Sequence, residues 1–225
     1  MTTKLITTTD AGDETTRVRV WDLFVRVFHW TVAVAFFVAY FTEDDLLTVH
    51  VWAGYTIGVL VVMRILWGFV GPKHARFSDF VCGPIKAWKY LIDLITFRAR
   101  RYVGHSPAGG VMVLLLLTGL LATVWTGLEL HAVENNAGPL ATVSAESTAA
   151  AIVAPIPLAF ASEDEREDAE GENGEKEEFW EELHEVLANL TLFLVVLHVG
   201  GVALASLVHR ENLVRSMITG DKKAG

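Results

Sequence analysis

The chemistry of this 225-residue chain is carried by its eight histidines. Four of them, His29, His50, His184 and His198, fall within or at the edge of long apolar stretches. An ionisable side chain there is costly unless it has a partner, so its presence points to a function. Imidazole offers a nitrogen lone pair to iron, copper or zinc. His184 and His198 are fourteen residues apart. On a helix that spacing puts them within about 40° of one face and about 21 Å apart along the axis. If successive stretches run in opposite directions, His29 shares the depth of His198, and His50 that of His184. Each pair then draws on two different helices. An iron porphyrin needs two axial ligands on opposite faces, and two such layers fit in one helix bundle. Taken singly, His50 and His184 also suit interfacial histidines near helix ends. The matched pattern of four is what singles them out.

Small residues beside the ligands would make room for a flat macrocycle. Gly54 and Gly58 follow His50 on its own face, Ala33 follows His29 by four, and Gly201 follows His198 by three. Glycine also serves plain helix packing in membranes. Arg64 is fourteen residues after His50, and Arg26 is one turn before His29. Both suit the propionates of an inner haem. For Arg26 the alternative is an arginine snorkelling to the interface. His74, His105, His131 and His209 read as surface residues in loops or at helix ends.

These imidazoles can meet at two depths only if helices hold them across a membrane. The chain is 52% hydrophobic, with a mean hydropathy of +0.39. A bilayer core is crossed by about 20 apolar residues, and stretches 23–41, 46–70, 108–128 and 183–208 qualify. Backbone groups in lipid must be satisfied internally, so each is a helix. The expected fold is all-α, an integral membrane four-helix bundle. The third helix has no histidine between 108 and 128 and reads as a packing helix. A signal peptide fits the first stretch poorly, because about twenty polar residues precede it and Thr42-Glu43-Asp44 follows it.

Loop charge predicts orientation. The 2–3 loop carries Lys73, Arg76, Lys86, Lys89, Arg98, Arg100 and Arg101 against Asp79 and Asp93. Arg17 and Arg19 lead into the first helix, and Arg210, Arg215, Lys222 and Lys223 follow the last. Loop 1–2 has only acids, Glu43, Asp44 and Asp45. Both termini are therefore expected in the cytoplasm, with the basic loop on the anionic lipid of that leaflet. The domains expected are a tail over 1–20, a four-helix domain over 21–210 with an outer loop at 129–182, and a tail over 211–225. Between residues 129 and 183 stand 15 acids against Arg166 and Lys176, which leaves the rest of the chain about +4. Within that loop, 139–162 reads as an irregular or membrane-surface segment. The acidic run 163–178 reads as a solvated linker or a docking surface for a basic partner. With Cys82 alone, no internal disulfide or thiolate cluster can form.

Several runs together resemble the prokaryotic cytochrome b561 family, within the superfamily of nickel–iron hydrogenase b-type cytochrome subunits. They are VRVWDLFVRVFHW, VHVWAGY, ILWGFVGPKHARFSDFV, RRYVGHSPAGG, FWEELHEVLANL and LHVGGVALASLVHRENLVRSMITG. The resemblance covers residues 17–132 and 178–221. It implies two bis-histidine haem b groups, with His29, His50, His184 and His198 as ligands. The acidic insert departs from the compact family pattern.

With all six iron positions filled, outer-sphere electron transfer is expected rather than catalysis at iron. The function this implies is transfer between the quinone pool, with a quinone bound at some point, and a redox protein such as a periplasmic c-type cytochrome. The setting would be a bacterial inner membrane. Alternatives are a superoxide:quinone oxidoreductase, the cytochrome b anchor of a hydrogenase-like complex, and a transporter using histidines for divalent metal. A negative outer loop works against collecting superoxide. The sequence has no Walker-type loop, nucleophile elbow or HExxH helix, and nothing in it suggests nucleic-acid binding.

Overall fold

The structure is a computed structural model that describes residues 17–43, 46–135, 137–141 and 163–223. A strand β1 (Arg17–Arg19) leads into helices α1 (Leu23–Tyr40) and α2 (Leu47–Val70). A 3₁₀ turn (Lys73–Ala75) and the short helices α3 (Phe77–Phe80) and α4 (Pro84–Ile95) follow. Then come α5 (Pro107–Asn135), α6 (Glu163–His209), α7 (Leu213–Thr219) and a strand β2 (Asp221–Lys223). Four helical segments are long and apolar enough to cross a membrane: Leu23–Tyr40, Leu47–Val70, Pro107–Asn135 and Gly174–His209. The chain is thus an all-α, multi-pass membrane protein.

The chain forms two compact units. One comprises Met1–Thr118 with Leu192–Gly225, the other Gly119–Thr191. In the first unit, α1 starts where the Asp22 carboxylate accepts the Val25 N–H at 3.1 Å, a helix N-cap. Its buried residues Val25, Val32, Ala35 and Phe36 form one stripe that faces α2. The matching stripe on α2 is Ala53, Ile57, Val61, Arg64 and Gly68. Leu23, Val34, Val59 and Leu66, on other faces, are exposed as lipid-facing residues should be. Gly68 and Gly110 mark close approaches. A Cβ at Gly68 would run into the Phe77 ring, and one at Gly110 would come 2.6 Å from the Phe80 carbonyl oxygen.

One end of this unit is closed by its termini. β1 and β2 pair antiparallel, with Val18 opposite Lys222. Gly220 ends α7 with φ +89° and accepts the Val20 and Trp21 N–H groups through its carbonyl. A Cβ there would meet the Trp21 carbonyl at 2.8 Å. Arg101 donates to Glu211 at 3.1 Å, and Lys222 lies 4.0 Å from the same carboxylate. Burial works against the Glu211 charge, but the Arg101 hydrogen bond and the Lys222 charge outweigh it and lower its pKa. The pairing brings both described ends of the chain together at one end of this unit.

Two boundaries differ from the sequence reading. α5 runs on to Asn135, which makes His131 helical rather than part of a loop. The acidic run at 163–178, read as a solvated linker or a docking surface, forms the first turns of α6. Glutamate, lysine and alanine are good helix formers, and an apolar span already nucleated lets the helix propagate outward. Of the stretch 139–162, residues 142–162 lie outside the described residues. So do residues 1–16 of the expected N-terminal tail.

Candidate functional site

In the first unit the structure brings His29 of α1 and His198 of α6 together. Their ring centroids are 6.2 Å apart and the planes are tilted by 57°. Two trans metal–imidazole bonds of about 2 Å each, plus two ring radii, would put centroids about 6 Å apart. The spacing therefore suits one six-coordinate metal between them. The His29 Nδ1 is buried and has no hydrogen-bond partner among the described residues. Trp30 meets the His29 ring edge-on at 5.2 Å. A Cβ at Gly200 or Gly201, just after His198, would meet no atom within 4 Å, and the same is true of Gly54 after His50. These glycines, unlike Gly68 and Gly110, are not used for close packing of the chain.

His50, on α2 of the same unit, places Nδ1 at 2.9 Å from the Ala39 carbonyl. A carbonyl only accepts, so Nδ1 carries the proton and Nε2 the lone pair. Within the second unit, His184 Nδ1 lies 3.1 Å from the Thr126 hydroxyl. That hydroxyl also reaches the Ala122 and Thr123 carbonyls at 3.2 and 3.0 Å. A hydroxyl both donates and accepts, so either tautomer of His184 fits this contact. Gly127 lies against the same ring, since a Cβ there would come 2.8 Å from His184 Cε1. Below, Thr123 and the fully buried Thr191 share a hydrogen bond at 3.3 Å.

The arginines occupy different settings. Arg64 is 2% exposed. It donates from Nη2 to the Ala75 carbonyl at 3.1 Å and stacks 5.4 Å from the Phe77 centroid. Its Nη1 is buried without a hydrogen-bond partner among the described residues. Arg26 donates to the Ile218 carbonyl near the C-terminus of α7, where a cation is favoured. Its Nε is likewise buried and unmatched.

Two expectations need correcting. His105 is not a surface residue. It is wedged between Trp21 at 4.7 Å and Phe80 at 4.4 Å, with a buried Nδ1 that lacks a partner among the described residues. Burial, then the charges of Arg64 and Lys222, push its pKa down to about 3. Its place directly before the start of α5 gave the sequence reading no sign of this, because the aromatic walls come from distant segments. The third membrane helix, expected only to pack, orients His184 through Thr126. The signal for it is polar: Thr123 and Thr126 interrupt an otherwise apolar run. The other histidines hold local roles. His74 pairs with Asp79 at 3.0 Å, His209 with the Tyr90 hydroxyl at 3.3 Å, and His131 with Asn135 at 3.3 Å.

A model of the family described as prokaryotic cytochrome b561 matches residues 20–220. The chain belongs to that family. As a b-type cytochrome it carries haem b. It is 30% identical over 142 residues to a probable Ni/Fe-hydrogenase B-type cytochrome subunit of Rhizobium leguminosarum bv. viciae, covering 51% of this chain and 59% of the relative. The corresponding protein of Azotobacter vinelandii is 28% identical over 145 residues, covering 52% and 60%. That of Rhodobacter capsulatus is 28% identical over 148 residues, covering 52% and 56%. The cytochrome thus spans less than two thirds of these relatives. No solved structure matches it.

Proposed function

We propose that this cytochrome holds two haem b groups and passes electrons between the quinone pool and a redox protein. The approach of His29 to His198 carries the reading. These two residues would be the axial ligands of an inner haem, and His50 and His184 those of an outer one. In support, both outer histidines have Nδ1 in a hydrogen bond, as ligating histidines usually do. Held by these histidines, haem b would supply a one-electron couple. The residues around it orient the imidazoles and exclude water. The unmatched Nη1 of Arg64 and Nε of Arg26 suit carboxylates such as the inner propionates.

The basic flanks support a cytoplasmic side for the paired termini and a bacterial inner membrane for the cytochrome. For the partner, the names of the relatives favour the anchor of a hydrogenase-like complex. The exposed acids Glu175, Glu177 and Glu178 on α6 suit a basic redox protein such as a c-type cytochrome on the outer side. Redox titration of the purified protein, with pyridine-haemochrome counting, tests the core reading. Two haems per chain are expected, and a colourless preparation made with ample haem supply would sink it. Co-purification from native membranes separates the two partners.

A further inference from the structure

We propose that α4 is an in-plane anchor that sinks one face into the membrane surface and binds anionic phospholipid headgroups. The proposal does not depend on haem. α4 has 12 residues. At about 18 Å it is too short to cross a bilayer. It has two apolar faces. Ala87, Tyr90 and Leu94 are buried against the protein. On the opposite side Ile85, Trp88, Ile92 and Ile95 are 73%, 65%, 47% and 59% exposed. These four fall within an arc of about 80° at 100° per residue.

The helix sits where spans end. The Tyr90 hydroxyl meets His209, the last residue of α6, at 3.3 Å. Phe80, just before α4, lies against Gly110 in the first turn of α5. An outward face at that level meets the headgroup region, where tryptophan is favoured. Charge selects the headgroup. Lys86 and Lys89 line one side of the apolar arc, and Arg98 and Arg100 follow it. All four are exposed, and none pairs with an acid among the described residues.

The end of α4 gives an independent sign. Arg98 N–H donates to the Asp93 carbonyl at 2.7 Å and Phe97 N–H to that of Leu94 at 3.1 Å. This cap needs a left-handed residue, normally glycine. Here it is Phe97, with φ 60° and 67% exposed. A bulky aromatic in that conformation is costly, and nothing among the described residues covers it. Insertion into lipid would offset the cost. A protein partner fits less well, because lysine is depleted from protein interfaces, whereas lysine beside tryptophan typifies interfacial helices.

Nitroxide labels test the immersion. On a C82S background, I85C, I92C and K86C are labelled in the full-length protein, in bilayers containing phosphatidylglycerol. The first two labels should collide several-fold more with oxygen, and less with an aqueous nickel chelate, than the third. Equal access of all three to the chelate overturns the proposal, including the case where I85C and I92C become shielded only when a protein partner is added. Native mass spectrometry tests the headgroup. The wild type should prefer phosphatidylglycerol over phosphatidylcholine, and K86Q/K89Q should lose about fivefold of that preference per lysine. An unchanged preference overturns the anionic-lipid assignment. Positions 85, 86, 89 and 92 are exposed, so elution and helicity should match the C82S parent for the labelled variants and the wild type for K86Q/K89Q.

Discussion

Replacing Thr126 with valine tests whether the third membrane helix sets a ligand. Valine keeps the shape but removes the oxygen that lies 3.1 Å from His184 Nδ1. Whichever of the two groups donates, valine leaves the ring nitrogen without this partner. Leaving a buried polar group unpaired costs about 1–3 kcal/mol. Loss of an outer partner to a metal-bound histidine typically weakens the site about 10- to 100-fold. The two scales agree, so T126V should weaken one of two haem sites by about 10- to 100-fold and leave the other untouched. T126S keeps the oxygen and should behave as wild type. The assay is haem titration of apoprotein, followed by the Soret band and by the low-spin electron paramagnetic resonance signals. Two sites of unchanged affinity in T126V, or equal weakening in T126S, would refute the reasoning. G127A strains the same ring from the other side, since its Cβ would come 2.8 Å from His184 Cε1.

H198A should remove one haem of two by pyridine-haemochrome assay, and H29A the same one, so the double variant should lose no more. G110A places a Cβ 2.6 Å from the Phe80 backbone oxygen, whereas Gly83 has nothing within 4 Å. G110A should therefore cost about 1–3 kcal/mol and lower the melting temperature in detergent, while G83A should not. His105, held neutral by burial with a pKa of about 3, links stability to pH. Its folded pKa lies below the unfolded value of about 6.5. The stability it contributes is full above that value and is lost as pH falls towards the folded pKa. Thermal stability should drop through that window, and H105F, which suits the slot between Trp21 and Phe80, should flatten the drop.

The spans were readable because a bilayer demands long apolar helices: stretches 23–41 and 46–70 match their helices closely, and 108–128 and 183–208 lie inside longer ones. The approach of His29 to His198 was readable too, since helical spacing and loop charge fix face and depth. The extension of α6 over the acidic run was missed because composition describes solubility and says little about whether a solvated segment stays helical. Thr126 was passed over because a hydroxyl can bond to its own helix, and only the neighbour's position reveals its second role.

The number of apolar helices and membrane residence are properties of one segment at a time, and hydropathy settles them. The tautomer of His50, the Thr126 contact of His184, the aromatic slot around His105 and the two-faced packing of α4 join separate segments. Each is decided by which atoms the folded backbone brings within bonding distance, and no local pattern encodes that.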